Sequence, residues 1–193
     1  MKQSLTRVSI IFVLALAFFG CAKPPVEEMN QAIAAVSAAE NDANALSYAA
    51  SSLLRAREAL TMMQEAADSK RYDEAKTLAA EAIAAAQKAV ADGKTGAERA
   101  KTEAENLIEG VKAAAGETEE VLRNAKTVKN ITLDFAALER DFADARRTLA
   151  QAEISLSGGN YQEASEKGRN ARAALSDITN RIAGAAAAVS RKK

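Results

Sequence analysis

The sequence predicts an all-α protein, and three observations carry that prediction. Alanine makes up about a quarter of the 193 residues, against 2 prolines, no tryptophan and 4% aromatic residues. Such a bias, with Glu, Lys, Leu and Arg filling most of the rest, favours long helices because these side chains lose little freedom on entering one. Apolar residues recur at steps of three and four along most of the chain, which keeps one helix face apolar. No run rich in Val, Ile, Thr and Tyr and bounded by turn residues suggests a strand. The expected architecture is a set of elongated antiparallel helical hairpins, or a bundle, with coiled-coil-like, alanine-rich seams and an internal duplication.

The first segment stands apart from that fold. Lys2 and Arg7 make a positive start, no acid precedes Glu27, and Val8 to Phe19 form an almost unbroken apolar run. A helix of about a dozen residues rises about 18 Å, too little for a hydrocarbon core of about 30 Å. Residues 1–20 therefore read as a signal peptide, not a membrane span. Phe18, Phe19, Gly20 and Cys21 resemble the lipobox of bacterial lipoproteins, with a small residue directly before the cysteine. The resemblance implies cleavage between Gly20 and Cys21, a diacylglyceryl thioether on Cys21 and a fatty acyl group such as palmitate on the new amino group. Two or three acyl chains hold a protein on a bilayer where one does so only marginally. Residues 21–28 then comprise the lipidated cysteine and a polar tether stiffened by Pro24 and Pro25. Ala22, in place of the aspartate that marks inner-membrane retention in such lipoproteins, favours the outer membrane, facing the periplasm. Loss of residues 1–20 removes Lys2 and Arg7 and leaves a slightly acidic body.

Residues 29–92 read as a first helical hairpin unit. Its seam runs Leu46, Ala49, Leu53, Ala56, Leu60, Met63, Ala67, stops at the polar Asp68-Ser69-Lys70-Arg71, and resumes as Tyr72, Ala75, Ala79, Ala82, Ala86, Ala89. So short a break predicts an antiparallel pair. Residues 133–193 read as a second hairpin unit and a basic tail. The seam Phe135, Leu138, Phe142, Ala145, Leu149, Ala152, Leu156 breaks at Ser157-Gly158-Gly159-Asn160, and Tyr161, Ala164, Gly168, Ala171, Leu175, Ile178 and Ile182 continue it. Arg57 with Arg146, Leu60 with Leu149, and Tyr72-Asp-Glu-Ala with Tyr161-Gln-Glu-Ala recur 89 residues apart, the sign of a duplication. Between the two, residues 93–132 form a helical connector. Gly93, Gly96 and Gly116 are possible breaks in it, and Ala97, Ala100, Ala104, Leu107, Val111, Ala114, Val121, Ala125 and Val128 are its expected seam. One kinked helix and two helices both fit that pattern.

Composition narrows the function. Lys plus Arg and Asp plus Glu balance at 26 each, and histidine is absent. Without a basic patch the chain lacks the footprint of nucleic-acid binding. Without histidine it lacks the usual general base and the commonest metal ligand, and its single cysteine supplies neither a disulfide nor a thiolate cage. No catalytic, cofactor-binding or metal site is predicted. Glu119/Glu120 and Glu139/Asp141 are acidic neighbours but do not share a helix face, so they read as solvated surface. Tyr72 and Tyr161 are expected to pack at the hairpin turns.

The stretches "AIAAVSAAENDANALSYAASSLLRAREAL" and "RYDEAKTLAAEAIAAA" are similar to a family of envelope lipoprotein domains of unknown function, the one numbered 4398, from Met29 to about Ala100. That resemblance implies an alanine-rich first helix, a tyrosine-containing turn and a helical hairpin. Ala50 stands where the family's Tyr-Ala-Pro turn has proline, which removes the ring constraint near Tyr48. "RYDEAKTLAAEAI" also looks like the helices of tetratricopeptide repeats in its packing logic. The function expected is a non-enzymatic, membrane-anchored scaffold acting through protein contacts. Its partners would be the membrane, through Cys21, one or more unidentified envelope proteins, and a second copy of the chain; nucleic acid is not among them. The alternatives are a helical carrier of a small hydrophobic ligand and a peptidoglycan tether through Lys193, the latter ranked behind protein contacts because basic residues also suit a helix C-terminus.

Overall fold

The computed structural model describes residues 23–191. The predicted signal peptide, Gly20, Cys21 and Lys193 lie outside the described residues. Those described form six helices and no strand: α1 Val26–Glu40, α2 Ala43–Tyr48, α3 Ala50–Asp68, α4 Tyr72–Ala125, α5 Phe135–Ser157 and α6 Tyr161–Ser190. The chain divides into two compact units, one ending at Lys94 and the other beginning at Thr95.

In the first unit, Pro25 is the N-cap of α1, with φ at −77°, and Glu27 and Glu28 place negative charge in its first turn. Asn41 closes α1 by donating its side-chain amide to the Ser37 carbonyl at 2.8 Å. Asp42 opens α2 by accepting from the Ala45 amide at 2.7 Å. Ala49, at φ −129° and ψ 34°, then separates α2 from α3. The chain therefore breaks beside Tyr48 with Ala50, not proline, following Ala49. The break also takes Leu46 out of the seam expected for it: its side chain is 52% exposed, and Ala45 is the buried residue of α2.

The core of this unit is built from Ala32, Val36 and Ala39 on α1, Leu53, Ala56, Met63 and Ala66 on α3, and an alanine row from Ala75 to Ala89 on α4. Met63 is the bulkiest fully buried side chain there. Small residues bring helix axes close, and at Gly93 the approach reaches the backbone itself. A Cβ on that residue would lie 2.5 Å from the Ala45 nitrogen, so only glycine lets α2 sit on α4. Nearby, the Ser52 hydroxyl donates to Asp92 Oδ2 at 2.6 Å and Lys88 Nζ to Asp92 Oδ1 at 2.9 Å.

The second unit packs the later part of α4 with α5 and α6. On this part of α4 the expected Ala97 is buried, and from Ala104 the buried residues run Ala104, Ile108, Val111, Ala115, Thr118, Leu122 and Ala125, in strictly alternating steps of four and three. This differs from the expected connector in two respects. Residues 93–125 continue one helix, with Gly93, Gly96 and Gly116 inside it, and its later turns are a core arm of the second unit. The buried face is also rotated from the expected one: Val121 is 37% exposed, while Ile108, Ala115 and Leu122 are inside, and Val128 lies beyond the end of the helix. Thr118 explains the shift. It is buried with its hydroxyl donating to the Ala114 carbonyl at 2.7 Å, so a polar residue continues the stripe at no hydrogen-bond cost. Leu138, Phe142, Ala145, Leu149 and Ala152 on α5 and Ala164, Ala171, Leu175, Ile178 and Ile182 on α6 complete this core.

The two hairpin turns repeat bond for bond. The Ser69, Lys70 and Arg71 amides donate to the Glu65, Ala67 and Ala66 carbonyls at 3.1, 2.9 and 2.8 Å. Gly158, Gly159 and Asn160, each 89 residues further on, donate to Ile154, Leu156 and Ser155 at 2.9, 3.1 and 2.9 Å. Both are Schellman closures, in which the residue after the cap turns left-handed. Those residues are Lys70, with φ 59°, and Gly159, with φ 79°. Burial follows the same register: Leu53, Ala56 and Met63 correspond to Phe142, Ala145 and Ala152, and Ala86 and Ala89 to Leu175 and Ile178.

Candidate functional site

The anchor site expected at Gly20 and Cys21 lies outside the described residues, and the described chain starts at Lys23. No described helix is long and apolar enough to cross a membrane. Among the described residues no group of three or more His, Cys, Asp or Glu is placed to hold a metal ion, and each buried side-chain nitrogen or oxygen has a hydrogen-bond partner.

Some of the charged residues form pairs between elements, beside others at i,i+3 and i,i+4. In the first unit Arg57 Nε meets Glu40 Oε1 at 2.6 Å, joining α3 to α1, and Lys76 Nζ meets Glu28 Oε1 at 2.9 Å, joining α4 to α1. In the second, Lys112 pairs with Glu153 at 2.6 Å and Arg181 with Asp141 at 2.7 Å, and Lys126 pairs with Glu139. Exposed pairs of this kind contribute about 0–1 kcal/mol each, so they define register more than they stabilise. Their electrostatic signature is consistent. Hydrogen bonding to Lys76 holds the Glu28 carboxyl below its ordinary pKa, and the Glu153 carboxylate raises that of the Lys112 ammonium. The acidic neighbours Glu139 and Asp141 serve separate partners, Lys126 just after α4 and Arg181 on α6. Tyr72 and Tyr161 both open a second arm and are half-buried, and Tyr161 packs against the core of its unit.

Two surface features stand outside the sequence expectations. Large apolar side chains are exposed on the first unit, namely Val26, Ile33, Leu46, Leu54 and Met62 at 43–58%. In the second unit a groove of about 220 Å³ lies between α4 and α5. Its lining includes Lys112, Gly116 and Glu119 from α4 and Phe142, Arg146 and Leu149 from α5. The Arg146 guanidinium carbon sits 5.9 Å from the centroid of the Phe142 ring, a cation–π distance. Sequence periodicity places Phe142 and Leu149 in the core seam and matches Arg146 to Arg57, but it carries no signal that the helices part at this point.

No curated protein and no solved structure matches the chain. One family model does: residues 27–107, a span that contains the expected Met29–Ala100 segment, match the domain of unknown function DUF4398.

Proposed function

We propose that the chain is a lipoprotein of the bacterial cell envelope, attached by acyl groups on Cys21 to the periplasmic face of the outer membrane, and that its helical body is a non-enzymatic scaffold acting through protein contacts. The observation that carries this reading is the short apolar run Val8–Phe19, with a positive flank and ending at Gly20-Cys21. The exposed large side chains of the first unit supply apolar area of the kind a protein partner covers. Two cross-helix ion pairs, Arg57 with Glu40 and Lys76 with Glu28, tie its helices together, which suits a rigid framework.

Metabolic labelling with a palmitate analogue tests the anchor. The wild type should take up label and Cys21→Ser should not, and the mature chain should begin at Cys21. Equal labelling of both, or a mature amino terminus elsewhere, would refute the reading.

A further inference from the structure

The duplication allows the groove to be compared with its counterpart inside the same chain. Arg57 and Arg146 occupy the same place on α3 and α5. Glu40 directly follows the buried set Ala32, Val36, Ala39 on α1, and Glu119 directly follows the buried set Val111, Ala115, Thr118 on α4, with the same four-three spacing. The first unit closes this pair into a 2.6 Å salt bridge. In the second unit the same two residue types line the groove, yet among the described residues neither has an ion-pair partner, and Arg146 lies instead on the Phe142 ring. Two of the residues that differ make room: Gly116 takes the place of Ser37 and Ala115 that of Val36, and a Cβ on Gly116 would meet nothing within 4 Å. Phe142, in the place of Leu53, instead supplies the ring on which Arg146 rests.

We propose that this groove is a binding site for a small apolar monocarboxylate. Phe142 and Leu149, 9% and 8% exposed, give the apolar wall, and about 220 Å³ accommodates roughly one ring or branched chain. The guanidinium of Arg146 presents a planar fork of donors matched to a carboxylate, and its unpaired state leaves that fork available. Glu119 also lines the groove, and its negative charge disfavours a dianion relative to a monocarboxylate. The ligand carboxylate thus takes the part that Glu40 plays toward Arg57. The site is independent of the membrane anchor and stands or falls separately from it.

Benzoate is the probe, titrated into the chain from residue 23 on, which holds every core residue described above, with amide shifts read by NMR. Saturable shifts should centre on Gly116 and the neighbours of Phe142, with a Kd on the order of 1 mM for so small a ligand. Arg146→Gln and replacement of benzoate by neutral benzamide should each weaken binding about tenfold, and Gly116→Leu should abolish it by filling the groove. Glu119→Gln should tighten binding twofold or more, since it removes a negative charge from the groove. Arg57→Gln should change nothing. Circular dichroism melts confirm that the variants remain folded. Shifts that do not saturate, benzamide binding as well as benzoate, or benzoate affinity unaltered in Arg146→Gln would each overturn the proposal.

Discussion

Gly93→Ala should destabilise the first unit, although alanine is the better helix former. The added Cβ would lie 2.5 Å from the Ala45 nitrogen, 2.6 Å from its Cα and 2.7 Å from the Asn44 carbonyl carbon. All three are backbone atoms, so no side chain can swing aside. Reaching ordinary contact at 3.4 Å from 2.5 Å requires α2 to retreat by roughly 1 Å. That movement lifts Ala45 from a fully buried position and strains the Asp42 cap on its amide. Overpacking typically costs 1–3 kcal/mol and occasionally more, and removing a helix-interior glycine returns about 0.5–1. With backbone on the receiving side the upper part of that range applies, and the net loss should be about 2 kcal/mol. Gly110→Ala and Gly184→Ala are the controls, since a Cβ at either meets nothing within 4 Å; each should gain about 0.5–1 kcal/mol. Thermal unfolding of the chain from residue 23 on gives the stabilities, and amide exchange at Ala45 should accelerate only in Gly93→Ala. If Gly93→Ala behaves like the two controls, α2 is not seated on α4 as described.

The turns and one carboxylate give two further tests. Lys70→Gly should stabilise by about 0.5–1 kcal/mol, because relief of a left-handed residue is worth roughly 1–2 and the glycine's unfolded-state entropy takes back part of it. Gly159→Lys should lose a similar amount, and urea titration reads both. For Asp92, hydrogen bonding to Ser52 and then Lys88 lowers the folded-state pKa from an ordinary 3.8. The stability from these contacts is therefore fully present above that ordinary value and is lost as pH falls through the lower folded value. Wild type should be more stable than Asp92→Asn at pH 7, and the difference should shrink from about pH 4 downward; a difference that grows with acid would contradict the assignment.

The helical class, both hairpin turns and the registers of α3, α5 and α6 are legible in the sequence, because large side chains such as Leu53, Met63, Phe142 and Leu149 mark the buried face and Ser69 and Gly158-Gly159 mark the stops. The errors come from residues whose position is decided by a neighbour. Leu46 continues an apolar spacing but sits in a six-residue helix whose orientation is governed by the close approach of Ala45 to Gly93. Along 104–125 the alanine-rich pattern leaves two adjacent faces almost equally apolar, and the true one passes through Thr118, which a search for apolar residues skips. The glycines of α4 look like breaks because local preference favours them there, whereas packing and helix length override it. The groove depends on which partner Arg146 faces across a helix pair, and spacing along one strand of sequence does not encode that. The proposed anchor is the reverse case: that expectation rests on the order of residues 8–21 alone and involves no tertiary contact.

The unequal side chains at matching positions of the two hairpins bear on how the chain avoids misassembly. Tandem copies with matching turns and matching burial registers invite an arm of one to dock on the wrong partner during folding, a hazard characteristic of repeated domains. Here the positions that correspond are filled differently: Gly93, Ala89 and Ala86 on one arm stand against Ile182, Ile178 and Leu175 on the other. An exchanged arm would push Ile182 into the space where the Ala45 backbone must lie, or leave a void where three large side chains should be. Both errors are costly, so the divergence in side-chain size works as a proofreading device that lets each copy recognise its own halves.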